Sequence, residues 1–248
     1  MIKIQRISAP PELTRQVVAE KTAQFKANPN KAVWKEDYIE SRLMQMTHGK
    51  CCYCECLLGK ESNYMEVDHF HHKQDYPDEV VVWDNLLPSC RACNGSKGTH
   101  DTIANPIVNP TIDEPKDHLF FKDYRYRSKT DKGKETVILL HLNDSERRCM
   151  PRFRVCTELN SKVESFLEDI QNISAASRTR EKNKMINNVR ELLEACQSDR
   201  EYTSIKATTM IHNQDYVQLM LEMQSRGLWT QDLIQLDEQM RLYGLDEL

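Results

Sequence analysis

The sequence predicts an α+β protein, mostly helical, with a small zinc-stapled module of two strands and a short helix embedded in it. Three observations predict this. Two Cys-x-x-Cys pairs, Cys51–Cys54 and Cys90–Cys93, have the spacing of a metal-binding knuckle. Between them the chain gives up helical periodicity for short apolar pieces and turn residues. On either side of that segment, apolar residues recur at the spacing of one helix face.

The 248 residues allow one large domain or two small ones. Charged residues make up 29% and hydrophobic residues 39%, the balance of a soluble chain with an ordinary core. A formal net charge of −4 excludes coating of nucleic acid by bulk positive charge, so any such contact needs a local basic surface or a partner. Residues 1–15 lack the apolar core of a signal peptide, and no apolar run nears membrane-spanning length. The expected compartment is therefore the cytoplasm. Nine cysteines, four of them in two close pairs, then favour metal binding over disulfides. Cys149, Cys156 and Cys196 lie among the later helices, where buried free thiols are expected.

Residues 1–50 read as N-terminal helices. Leu13, Val17 and Phe25 share a face of the first, which ends at Asn28-Pro29-Asn30. Ile39, Leu43 and Met46 mark a second helix, expected to carry Trp34 as well and to close near Gly49. Residues 51–98 form the metal module. Within it Glu66–Phe70 alternates as one strand, Val80–Trp83 as another, and a short helix begins around the second knuckle. Residues 99–150 read as loop and hairpin, with turn signals at Asn105-Pro106 and Asn109-Pro110. The hairpin strands are expected at His118–Phe121 and Thr136–Leu140, joined by Ser128–Lys134. Residues 151–248 are helical. Leu159, Val163, Phe166, Leu167 and Ile170 form one stripe, Met185, Val189, Leu192, Leu193 and Cys196 another, and two further helices are expected near 201–225 and 229–243. Such stripes are mostly core, with some faces available for partner docking.

Two knuckles complete a four-thiolate tetrahedral zinc site from Cys51, Cys54, Cys90 and Cys93, a staple that a module with few apolar residues needs. Cys54-Glu55-Cys56 is too short for a standard knuckle, so Cys51 pairs with Cys54, while Cys52 and Cys56 remain alternative ligands. A redox motif would occur once, opening a helix, rather than twice around a histidine-rich segment.

Between the knuckles lie Asp68-His69 on the first strand, Asn85 after the second, and Asn94 on the helix. This order resembles the ββα-metal finger of HNH endonucleases, with His69, Asn85 and Asn94 at the signature positions. The resemblance implies hydrolysis of phosphodiester bonds. His69, an imidazole titrating near neutrality, would take a proton from the attacking water. Asp68 and Asn94 would offer hard oxygen ligands to one Mg²⁺ or Mn²⁺. Asn85 would hold the loop and orient the histidine. Lys97 and Lys73 are candidate phosphate contacts. His71 is expected to face the site from the side of His69 or to contact phosphate, and His72 to contact phosphate or to sit in a solvated turn.

The wider pattern runs from Gly49-Lys50-Cys51-Cys52-Tyr53-Cys54-Glu55 through Asp68-His69-Phe70 and Trp83-Asp84-Asn85-Leu86-Leu87 to Cys93-Asn94-Gly95-Ser96-Lys97-Gly98. It resembles the PtuB group of HNH proteins, found in Septu-type antiphage defence and in retron systems. That likeness implies a PtuA-like ATPase partner, and in retrons a reverse transcriptase and its DNA. One departure is the His71-His72 step, where members of the group commonly carry proline after the first strand. DNA is the favoured substrate, RNA such as transfer RNA the alternative, and a catalytically inactive zinc scaffold the reading from another class. A basic stretch of Lys116, Lys122, Arg125, Arg127, Lys129, Lys132 and Lys134, interleaved with Tyr124 and Tyr126, is a candidate surface for unpaired bases.

Overall fold

The computed structural model describes residues 1–59, 63–174 and 176–246. The chain forms two units. The first comprises Met1, Lys3–His118 and Arg127–Asn143, and the second Ile2, Leu119–Tyr126 and Asp144–Leu248.

In the first unit, α1 (Arg15–Ala27) starts at Thr14, whose hydroxyl accepts a hydrogen bond from the Val17 N–H. Helix α2 (Asp37–Met46) buries Ile39, Leu43 and Met46, the three residues expected on its inner face. Trp34 is not in this helix. The chain is still extended at Glu36, so the indole belongs to the segment leading in. Strand β1 (Met65–His69) pairs antiparallel with β2 (Leu86–Cys90), Val67 opposite Pro88 and His69 opposite Leu86. Helix α3 (Arg91–Lys97) follows at once.

The second strand is thus Leu86–Cys90 and not Val80–Trp83. Val80 and Val81 are fully buried, but they lie between single 3-10 turns at Pro77–Glu79 and Trp83–Asn85. A short apolar run records burial, and burial alone does not separate a strand from a tight turn. Pro88 disguised the true strand, because proline cannot donate to a ladder; this two-stranded sheet leaves each strand one unpaired edge where it fits.

A short helix α4 (Pro115–His118) leads into β3 (Leu119–Lys122) and β4 (Arg125–Ser128). Asp123 and Tyr124 between them both have positive φ, 51° and 61°, as a tight two-residue hairpin turn requires. The hairpin therefore closes earlier than expected, and Thr136–Leu140 is no strand. It falls mainly in α5 (Asp131–Leu139), started by the Thr130 hydroxyl, which accepts from the Gly133 N–H at 3.1 Å. Gly133, Thr136 and Leu140 are buried at helical spacing. A β-branched run suggests a strand, but here the Thr130 cap starts a helix that takes it in.

The second unit is helical after its hairpin: a π turn at Ser145–Cys149, then α6 (Met150–Gln171), α7 (Thr179–Glu194), α8 (Thr203–His212), α9 (Gln214–Ser225) and α10 (Gln231–Tyr243). The segment expected as one helix near 201–225 is two. Asn213 ends α8 and caps α9, its side chain accepting from the Tyr216 N–H at 2.9 Å. Val163, Ile170, Val189, Leu193 and Cys196 are fully buried in one cluster with Met210, Leu219 and Leu233. Both predicted stripes are therefore spent on the interior. Burial pushes the Cys196 thiol up to about 12, and Cys156 is likewise buried. Tyr126 is buried, and Tyr124 packs edge-on against Phe153 at 5.1 Å. Tyr126 is thus not available to stack on bases, because it fills the unit's interior. Among the described residues no helix is long and apolar enough to cross a membrane.

Candidate functional site

The cysteine quartet assembles as the spacing requires. The sulfurs of Cys51, Cys54, Cys90 and Cys93 lie within 4.8 Å of one another, and all four residues are buried. Cys54 and Cys90 are 3.8 Å apart. Zinc–sulfur bonds of about 2.3 Å in a tetrahedron put neighbouring sulfurs about 3.8 Å apart, so the cluster could hold a zinc ion. Burial alone would raise the Cys51 thiol, but hydrogen bonds from Cys52, Cys54, Cys56 and Cys90 bring it well below the ordinary range. Cys90 is drawn down as well, whereas hydrogen bonds within the cluster push Cys54 and Cys93 up, so the four thiols share their protons as one coupled set. Of the alternatives, Cys52 is outside the quartet. Cys56 lies beside it, 3.3 Å from the Cys54 sulfur and accepting from Asn63 Nδ2 at 3.1 Å.

Alternation along β1 projects Glu66 and Asp68 from one face, and helix α3 lies against that face. Asn94 Nδ2 donates to Glu66 Oε2 at 2.8 Å, and Lys97 Nζ donates to Asp68 Oδ1 at 3.0 Å. Two rungs thus join strand to helix, residues two apart on the strand meeting residues three apart on the helix. Lys97 also donates to the His69 carbonyl at 2.6 Å, and its ammonium is almost fully buried. It therefore faces Asp68 rather than solvent. The other Asp68 oxygen accepts from the Tyr53 hydroxyl at 2.6 Å. A carboxylate has about four lone-pair sites, so these two bonds leave capacity for a cation. Glu66, Asp68 and Asn94 carry oxygen donors of the type that hard divalent ions take. Asp68 and Asn94 each meet the other's element through a separate rung.

His69 directs its ring elsewhere. Nε2 is 2.8 Å from the Val80 carbonyl, which can only accept, so the neutral ring carries its proton on Nε2 and its lone pair on Nδ1. The Trp34 ring meets the imidazole edge-on at 4.7 Å, and the Lys73 ammonium lies 5.1 Å from the Trp34 centroid. Burial lowers the His69 pKa to about 4, with Lys73 and Lys97 pushing the same way, while the Val80 bond and Asp68 oppose it. The imidazole is therefore uncharged at neutral pH.

Asn85 pins the chain leaving β1. Its Oδ1 accepts from the His71 N–H at 2.7 Å, and its Nδ2 donates to the carbonyls of His71 and Glu79 at 3.0 and 3.3 Å. His71 lies beyond the strand, with Nδ1 2.7 Å from Glu79 Oε2 and its ring against Tyr76. His72 is buried and paired with Asp75 at 3.1 Å, so the solvated turn expected there is not what forms.

Trp34, Tyr53 and Glu66 are site residues that sequence reasoning passed over. Only Tyr53 carried a local signal, its place inside the first knuckle.

No family model matches the chain. A Septu protein PtuB from Bacillus thuringiensis is 41% identical over 233 residues, covering 92% of this chain and 89% of that protein. A Septu protein PtuB from Bacillus mycoides (strain KBAB4) is 26% identical over 226 residues, covering 73% and 76%. At that identity and coverage, the chain belongs to the Septu PtuB family.

Proposed function

We propose that this protein is a metal-dependent HNH endonuclease, the cutting component of an antiphage defence system. The antiphage setting is supported by the kinship with Septu PtuB proteins. The observation that carries the chemistry is the pair of rungs Glu66–Asn94 and Asp68–Lys97, with the next residue of the strand, His69, a neutral histidine whose lone pair is assigned to Nδ1.

In this reading Asp68 and Asn94 hold one Mg²⁺ or Mn²⁺. When bound, the ion supplies positive charge for the phosphate and the departing oxygen. His69 Nδ1 takes the proton of the attacking water, and the Val80 carbonyl holds Nε2–H so that the ring presents the correct tautomer. Asn85 fixes the loop behind the ring and touches no substrate. Lys97 holds Asp68, which leaves Lys73, lying over Trp34, as the cation to meet phosphate. The zinc on the four cysteines is a staple and takes no part in the reaction.

The acidic net charge suits an enzyme brought to its substrate by another protein, here a PtuA-like ATPase, joined in retron systems by a reverse transcriptase and its DNA. DNA is the substrate proposed. Incubating the complex with DNA and RNA panels, with Mg²⁺ and with or without nucleotide, tests this. Cutting of DNA is expected. Cutting of RNA alone would move the same chemistry to the alternative substrate, and no cutting of either would leave the zinc scaffold.

A further inference from the structure

Asp68 is held from both zinc knuckles at once. Tyr53 sits inside the first, between Cys52 and Cys54, fully buried, with its hydroxyl 2.6 Å from Asp68 Oδ2. Lys97 stands one helical turn beyond Cys93 of the second and reaches Oδ1 at 3.0 Å. Each arm is rooted in a segment that the cysteine quartet immobilises. The Tyr53 bond is short, as expected when a hydroxyl donates to a carboxylate. A buried phenol could have been replaced by phenylalanine at no cost in packing, so the hydroxyl has a use beyond filling space.

We infer that Tyr53 is a positioning residue, through which the stapling metal site orients the carboxylate that receives the catalytic ion. The inference rests on the endonuclease reading of Asp68. Bonds behind a metal ligand tune its affinity by fixing its direction, and their loss typically costs about 10- to 100-fold in metal binding. Tyr53 touches neither substrate nor metal; its effect passes through Asp68.

The test uses the full zinc-loaded chain without nucleic acid. Mn²⁺ binding is read by electron paramagnetic resonance, and the cysteine site by the absorption of its Co²⁺-substituted form. Tyr53→Phe is expected to weaken Mn²⁺ binding about 10-fold and to leave the Co²⁺–thiolate spectrum unchanged. In an Asp68→Asn background the same change should weaken it no further. Tyr53→Met, more adaptable in a tight site, is the second variant should the phenylalanine disturb the spectrum. Mn²⁺ affinity within about twofold of wild type in the variant that keeps the spectrum would overturn the inference, since outer bonds that matter cost more. If Asp68→Asn itself left Mn²⁺ binding unchanged, the endonuclease reading of Asp68 would fail first, and this inference with it.

Discussion

Replacing Lys97 by methionine should be among the most damaging single changes in the first unit. The Lys97 and Asp68 side chains are 1% and 3% exposed, and the ammonium bonds both Asp68 Oδ1 and the His69 carbonyl. Methionine keeps much of the stem's volume, so the change removes charge and donors more than packing. It leaves a carboxylate in a low-dielectric interior with Tyr53, among the described residues, as its remaining hydrogen-bond donor. Breaking a buried pair from one side costs about 3–5 kcal/mol, mostly the penalty on the orphaned charge. At about 2–4 °C per kcal/mol for a chain of this size, the melting temperature should fall by about 6–20 °C. Thermal unfolding of the zinc-loaded protein measures it. Lys97→Met combined with Asp68→Asn should lose clearly less than the two single losses summed, because the second change removes the orphan. A drop below about 2 °C in the single variant, or strict additivity in the double, would refute the buried pair as the element holding β1 to α3.

Other perturbations separate the parts. The quartet predicts that Cys51→Ser or Cys93→Ser abolishes stoichiometric zinc, measured by elemental analysis, whereas Cys52→Ser retains it. Because His69 titrates at about 4 instead of 6.5, the unfolded chain takes up its proton first as pH falls. The histidine's contribution to stability is therefore complete above 6.5 and lost as pH falls towards 4, and cutting should show no inflection near 6.5. His69→Gln should remove that part of the stability–pH slope in chemical denaturation. A Cβ at Gly133 would lie 2.1 Å from the His118 carbonyl oxygen, so Gly133→Ala should destabilise the start of α5, seen as faster amide exchange there. In the second unit, Leu193→Ala, at a fully buried position, should cost about 2–5 kcal/mol. Leu242→Ala, at a position 67% exposed, should stay within about 0.5 kcal/mol in the same denaturation assay.

What could be read in the sequence was chemistry carried by spacing. A knuckle is a local object, so Cys51, Cys54, Cys90 and Cys93 announce a common metal before any fold is known. The apolar stripes of α6 and α7 were equally local, and they form the core expected of them. Errors arose where different tertiary outcomes share one local pattern. Val80–Trp83 and Thr136–Leu140 are both β-branched and apolar, yet one became a buried turn and the other mainly a capped helix. Trp34, Tyr53 and Glu66 escaped notice because their roles exist only once distant segments meet: an indole against His69, a phenol on Asp68, a carboxylate on Asn94. Lys97 stood at the right place with a different partner, since nothing local distinguishes a lysine aimed at phosphate from one that neutralises a buried aspartate.

The central claim concerns one imidazole. The zinc-loaded chain, assembled with the proposed PtuA-like ATPase and supplied with Mg²⁺, should cut DNA, and His69→Ala should abolish cutting while zinc content and partner binding stay at wild-type levels. Undiminished cutting by His69→Ala would contradict the account.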